Sequence, residues 1–360
     1  MWIVTFDSHV MTVISTDFVP IIPYNTTQLN IAIGQRYDVI VDANQAVGSY
    51  FVRAIAQTGC PSGSANNGLG TSNGVIRYVG ADDSAPTSTT PITSSNAAIC
   101  NDEPITSLVP YLQKSAGSSS LFTSSAAQLP AGLVNTVQTS DDGTVFRWYL
   151  NNGAIDVDFD QPTLKTLATT GTVNSTLISN PIVLNGTNQW VYFVIQNQFF
   201  ASHPLHFHGH DVSLLGQFAG SFNASQTSLL NFVNPPRRDT VMLAGSAGPG
   251  NPAGTTVIGF QTDNPGAWLM HCHIVWHVEG GLALQFIERP GDIPASSYVN
   301  KPAFQDECSS LAAYEAAVPD SVKTDGESGL KRRAPGINWS SPVKKHLESH
   351  HRHGARAHHS

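Results

Sequence analysis

At 360 residues the chain has length for two domains or three, each with a core of its own. Charged side chains make up only 12%, and the formal net charge of -8 conceals a basic end: residues 331–360 hold seven Lys or Arg and one acid, leaving -14 on the first 330. An acidic body argues against binding nucleic acid, and no apolar run reaches the roughly 18 residues of a membrane span.

From Met1 to about Val79 the sequence is a series of short apolar or alternating runs: Trp2–Phe6, Met11–Ile14, Leu29–Ile33, Tyr37–Val41, Tyr50–Ile55 and Val75–Val79. Turn residues separate them, which predicts an antiparallel sandwich. The start, Met1-Trp2-Ile3-Val4, carries no basic leader or cleavage site and reads as the middle of a strand. Gly34 to Ile40 is a turn feeding a strand, its polar residues structural because nothing nearby completes a reactive set. Residues 81–107, rich in Ser, Thr, Pro and Asp, bury little and mark a boundary; Ser115–Ser125 reads as a surface loop. Strand texture returns at Val145–Leu150, Val191–Ile195, Val212–Leu215, Thr256–Phe260 and Leu282–Ile287. A helix follows, with Leu311, Tyr314 and Val318 on one face and Pro319 as its stop. The His-rich tail beyond Leu330 is a solvated end.

The chemistry is concentrated in two segments. His203-Pro204-Leu205-His206-Phe207-His208-Gly209-His210 and His271-Cys272-His273, followed by His277, hold seven of the eight histidines in the first 330 residues. On an extended backbone Cys272 points one way while His271 and His273 point the other, their Cα atoms roughly 7 Å apart at ~3.3 Å per residue. The same alternation puts His206 and His208 on a common face, with His203 directed elsewhere past a turn at Pro204. Sorted by direction, Cys272, His203 and His277 form one set, two imidazoles and a thiolate, the trigonal ligands of an electron-transferring copper. His206, His208, His271 and His273 form an all-imidazole set suited to copper centres that meet dioxygen. Zinc accepts the same donors and a cupin barrel also uses His-x-His, but the soft thiolate favours copper. Cys60 and Cys100 can close a disulfide in an oxidising compartment, and Cys308 is left without a partner or serves as a small buried thiol. Asn25, Asn174, Asn185, Asn223 and Asn338 are N-x-S/T acceptors, usable only on the secretory route.

These two segments resemble the last two copper-binding signatures of the multicopper oxidases. Gly34–Ile40, Asn234–Thr240, Thr262–Trp268 and Glu327–Arg333 extend the resemblance to fungal laccases of the ascomycete type. The resemblance implies an all-β fold of two cupredoxin-like Greek-key sandwiches, the second and third domains of a three-domain oxidase, at 1–108 and 109–330, with a basic tail at 331–360. It implies His203, Cys272 and His277 as type 1 copper ligands, with Leu282 at the non-coordinating axial position. His206 then takes a type 2 role and His208, His271 and His273 type 3 roles, with Cys272, His271 and His273 as the catalytic electron route.

The expected activity is one-electron oxidation of phenolic small molecules coupled to reduction of dioxygen, in an extracellular enzyme. Cleavage after Leu330 would leave Glu327–Leu330 as a buried plug. The family's first domain supplies two more His-x-His signatures and a partner for Cys308. Since His9 is the sole histidine before residue 200, the chain is expected to lack that N-terminal cupredoxin domain and to be inactive alone. A copper-binding electron carrier, or a non-catalytic domain pairing with another chain, would use the same residues.

Overall fold

The computed structural model describes residues 1–60, 71–89, 92, 100, 102–126, 134–141, 146–151, 153–155, 157, 162–173, 180–199, 201–245, 254–293 and 301–317. The chain divides into two compact units, Met1–Phe304 and Gln305–Ser360. The His-rich tail, Glu327–Leu330, Val318, Pro319, Asn174 and Asn338 lie outside the described residues.

The first β region of the larger unit contains β1 (Trp2–Phe6), β2 (Met11–Thr16), β3 (Val19–Thr26), β4 (Leu29–Ile31), β5 (Tyr37–Val41), β6 (Ser49–Ala56) and β7 (Thr71–Arg77). They form two sheets, in the orders β4-β1-β6-β7 and β3-β2-β5. Alternation buries every second residue of β1 and of β2 as far as Ser15, after which Thr16 is buried too. Met11, Val13, Ile21, Leu29 and Leu108 form the core, each burial contributing about 1.5–3 kcal/mol for a side chain of this size. β3 is not legible as a strand because Pro20 and Pro23 interrupt its pattern. It lies at a sheet edge, where a residue without an N–H costs no ladder bond. The polar stretch 81–107 was expected to bury little, and its last residues do otherwise. Glu103 is buried, accepting from the Asn30 N–H at 3.0 Å and the Tyr24 hydroxyl at 2.9 Å, and Leu108, just past the stretch, is fully buried.

The second β region follows with α1 (Ser119–Ala126), β8 (Val134–Asp141), β9 (Phe146–Tyr149), α2 (Thr163–Thr170), β10 (Pro181–Leu184), β11 (Trp190–Asn197), β12 (His203–Phe207) and β13 (Val212–Ala219). It continues with β14 (Arg237–Arg238), β15 (Thr240–Leu243), β16 (Gly254–Gln261), β17 (Gly266–Cys272), α3 (Val275–Glu279) and β18 (Ala283–Glu288); α4 (Pro302–Ala317) begins at its end and belongs mostly to the second unit. A five-stranded sheet, β10-β18-β17-β12-β15, faces a six-stranded one, β14-β13-β16-β11-β8-β9. Phe193, Leu205, Phe207, Leu214, Ile258, Phe260, Met270 and Phe286 fill the space between them. The outer face of β11 is apolar as well, and α1 covers it: Phe122 packs edge-on to Tyr192 at 5.4 Å. Ser115–Ser125 is therefore not a surface loop. Its many hydroxyls mask Phe122, while the Ser118 hydroxyl accepts from the Leu121 N–H in the first turn.

The expected helix near the end is α4, with Tyr314 65% exposed rather than on a buried face. Cys60 and Cys100 are joined in a disulfide, Cys308 is free, and the acceptors Asn25, Asn185 and Asn223 are exposed.

Candidate metal centre

Both histidine clusters begin on adjacent central strands of the five-stranded sheet, with His208, His210 and His273 just past the strand ends and His277 in α3. β12 and β17 run antiparallel, with Leu205 opposite Cys272 and His206 opposite His271. Opposed residues share a face, so one register fixes two sets at once. Pro204 is not a turn: it lies within β12, and strand alternation alone separates His203 from His206 and His208.

On the inner face His203 Nδ1 and His277 Nδ1 stand 3.0 Å apart, with Cys272 Sγ 3.8 Å from the first and 3.5 Å from the second. Three donor atoms this close form a group that could hold a single metal ion. His203 and Cys272 are fully buried, and the other nitrogen of His203, Nε2, has no hydrogen-bond partner. Burial pushes His203 down to about 3, with His277 adding to it, and burial pushes His277 down to about 4. Both imidazoles are thus neutral lone-pair donors. Burial also pushes the Cys272 thiol up to about 12, so a bound cation would have to displace its proton. The donor set therefore fits copper: three soft or borderline donors converge with no cationic side chain among them.

The surroundings hold this triangle. Trp148 of β9 lies 4.1 Å from the His277 ring and 4.9 Å from His203. The Cys272 N–H donates to Leu282 O at 3.0 Å, and the Leu282 N–H to His277 O at 2.9 Å. Leu282 is fully buried. His277 keeps a partly exposed edge beside Val275 and Trp276, which are 59% and 80% exposed.

On the opposite face His208 Nε2 and His271 Nε2 are 3.1 Å apart and the His206 ring is 4.9 Å from that of His208. These three form a group able to hold an ion. His273 stands outside that tight group, its ring 5.7 Å from His206 and 5.8 Å from His271. His208 is exposed, yet burial of its ring, followed by the proximity of His206 and His271, pushes it down to about 4. His206 Nδ1 lies 3.1 Å from Asp239 O. A carbonyl can only accept, so the proton sits on Nδ1 and Nε2 is left free.

Gly34–Ile40, read as merely structural, buttresses this second set. Gly34 has φ +86°, and a Cβ there would meet the His273 ring at 2.6 Å. Arg36 donates twice to Asp239, at 2.5 and 2.6 Å. Burial alone would raise Asp239; hydrogen bonds from Arg36, His206 and Thr240 outweigh it and hold the carboxyl well below its ordinary range. Behind it Arg238, fully buried, donates to Asp17 at 2.9 Å and to the Tyr37 hydroxyl at 3.1 Å. Asp17 also accepts from the Thr240 N–H at 3.1 Å. The usable signal was charge density: Arg237-Arg238-Asp239 interrupts a charge-poor region. His210, the fourth histidine of its cluster, joins neither set; its Nε2 lies 2.7 Å from the buried carboxylate of Glu288.

Two family models, both described as multicopper oxidase, match the chain, one over residues 2–81 and the other over 151–292. Laccase-1 of Botryotinia fuckeliana is 38% identical over 91% of this chain and 53% of its own length. A laccase of Neurospora crassa is 37% identical over 92% of this chain and 52% of its own. The crystal structure of the laccase from Botrytis aclada matches with a TM-score of 0.74 at 35% identity, covering 88% of this chain and 54% of that one. Fet3p, described as a multicopper oxidase that functions in iron import, matches with a TM-score of 0.68 at 22% identity, a likeness of fold alone. The chain thus spans about half the length of the curated relatives it matches. Matches that take in both β regions, and relatives alike over 91% of its length, place this chain in the multicopper oxidase family.

Proposed function

We propose that the chain serves laccase-like chemistry, one-electron oxidation of diphenols and related aromatics coupled to reduction of dioxygen to water. One observation carries this reading: a single strand, β17, turns Cys272 toward His203 and His277 on one face and His271 toward His206 and His208 on the other. In this reading His203, Cys272 and His277 would hold the type 1 copper, with the buried, non-coordinating Leu282 beside Cys272. His206 is the type 2 ligand, and His208, His271 and His273 are type 3 ligands.

Copper bound at these two sets would supply the one-electron acceptor and the oxygen-reducing centre. The protein's part is placement. The partly exposed edge of His277, beside Trp276, is where an aromatic reductant approaches. The peptide links from Cys272 to His271 and His273 are the short covalent path between the faces. Asp239 and Thr240 orient His206, and Arg36 keeps Asp239 ionised.

The residues divide as two cupredoxin-like domains, 1–108 and 109–330, with a basic tail at 331–360, in a secreted protein. The imidazole set supplies four nitrogens, half of what the family resemblance calls for, so the remaining donors come from a further cupredoxin domain. The test is to load the chain with copper and add a diphenol. The visible thiolate-to-copper absorption should bleach, while oxygen uptake stays at background until a domain carrying two His-x-His motifs is added. Steady oxygen uptake by this chain alone would contradict the incomplete set; absence of bleaching would contradict electron entry at Cys272.

A further inference from the structure

Asn180 sits just before β10 with φ +49°, in the left-handed region that asparagine tolerates better than most residues. Its side-chain Nδ2 lies 2.8 Å from Leu150 O, 3.2 Å from Gly153 O and 3.1 Å from Ala283 O. Three carbonyl oxygens can only accept, so the amide nitrogen rather than Oδ1 must face them. Its own carbonyl accepts from the Gln285 N–H of β18 at 3.2 Å.

The segments so joined are the two that close over the three-donor triangle. Leu150 directly follows β9, whose Trp148 lies against both imidazoles. Ala283 directly follows Leu282, whose carbonyl receives the Cys272 N–H. The same segments meet again through the Trp148 N–H to Gly280 O at 2.9 Å and the Ile155 N–H to Gly281 O at 3.0 Å. A shift of β9 relative to Leu282 would therefore move the tryptophan wall, the buried leucine and the Cys272 amide together.

We propose that Asn180 is a positioning residue for the His203, Cys272 and His277 site, its amide locking the wall over the two imidazoles to the segment that carries Leu282. The inference rests on the metal reading above, and its test separates the two. Asn180→Asp keeps the shape and backbone tolerance but turns an acceptor toward three carbonyls; Asn180→Gly keeps the left-handed conformation and removes the amide.

In the copper-loaded chain both variants should shift the thiolate-to-copper absorption and weaken copper binding at that site by about 10-fold or more, as loss of outer hydrogen bonds does at metal sites. Leu108→Ala, a core change in the other β region, should lower Tm without moving the absorption. In the metal-free chain the variants should speed hydrogen exchange at the Cys272 and Leu282 amides selectively, relative to Val257 and Ile258 of β16. If the unaltered chain shows no thiolate-to-copper absorption, the metal reading fails and the exchange comparison alone decides the positioning role. An unmoved absorption with lowered Tm, or exchange that rises uniformly, would overturn the proposal.

Discussion

The two faces of β12 and β17 carry donor sets built from neighbouring residues, yet they differ in how they are finished. The thiolate side is closed by its own region: Trp148 comes from β9, Leu282 and the turn after Cys272 from the connection between β17 and β18, and His203 and Cys272 are fully buried. The imidazole side opens at the seam with the first β region, with His208 exposed and His273 resting on Gly34. Its supports come from far along the chain, through Arg36 to Asp239 and Asp17 to Arg238. One face is a site made by a fold, the other a site made by a joint between two β regions. Perturbing the joint should therefore disturb the imidazole set and spare the thiolate set.

The largest expected effect is at the buried pair. The side chains of Asp17 and Arg238 are both fully buried, and Asp17→Ala leaves the guanidinium with only the more distant Asp102 carboxylate, at 3.8 Å. Removing one partner of a buried pair costs about 3–5 kcal/mol. Urea unfolding should show that loss, and copper binding at the imidazole set should weaken as Thr240 loses its acceptor.

Gly34→Ala comes next. A side chain at φ +86° is strained by about 1–3 kcal/mol, and the added Cβ displaces the His273 ring. Metal affinity of the imidazole set should fall while the thiolate absorption stays unchanged.

Leu282→Met probes the other face. Exchanging similar volumes costs less than about 1.5 kcal/mol, so the fold holds. A thioether near the copper should lower the reduction potential in a redox titration, with no change at the imidazole set.

The smallest effect concerns pH. Burial raises Asp102 and Glu103 above their ordinary 3.8 and 4.5, opposed by Arg238 and Gln35 for the first and by Asn30 and Tyr24 for the second. Carboxyls with raised folded values contribute stability that is present below the ordinary range and lost as pH rises through the raised values. Glu103→Gln should flatten that decline in unfolding measured across this range; an unchanged slope would remove Glu103 from the account.

Much of the thiolate site could be read from spacing. His271-Cys272-His273 on a strand already assigns opposite directions, and period-2 alternation is a local property of the backbone. The split of His203 from His206 followed from the same alternation, although a turn at Pro204 was the wrong reason for it. What supports the imidazole site was not legible in this way. Arg36 and Asp239 are 203 positions apart, and a polar residue's partner across a joint leaves no periodic trace. Nor did composition reveal α1, because Ser and Thr dominate a helix that is held by Phe122 alone among its large buried side chains. Proline hid β3 for the converse reason, since an edge strand tolerates what a central one would not.

The central claim is that the two faces are separate donor sets sharing one strand. Titrating the chain with copper while following the visible absorption tests it most directly, beside Cys272→Ser and the double variant His206→Gln with His208→Gln. The thiolate-to-copper absorption should appear with the unaltered chain, persist in the double variant and vanish in Cys272→Ser, which should still bind copper through its imidazoles. An absorption that survives Cys272→Ser, or that disappears with His206 and His208, would contradict the separation.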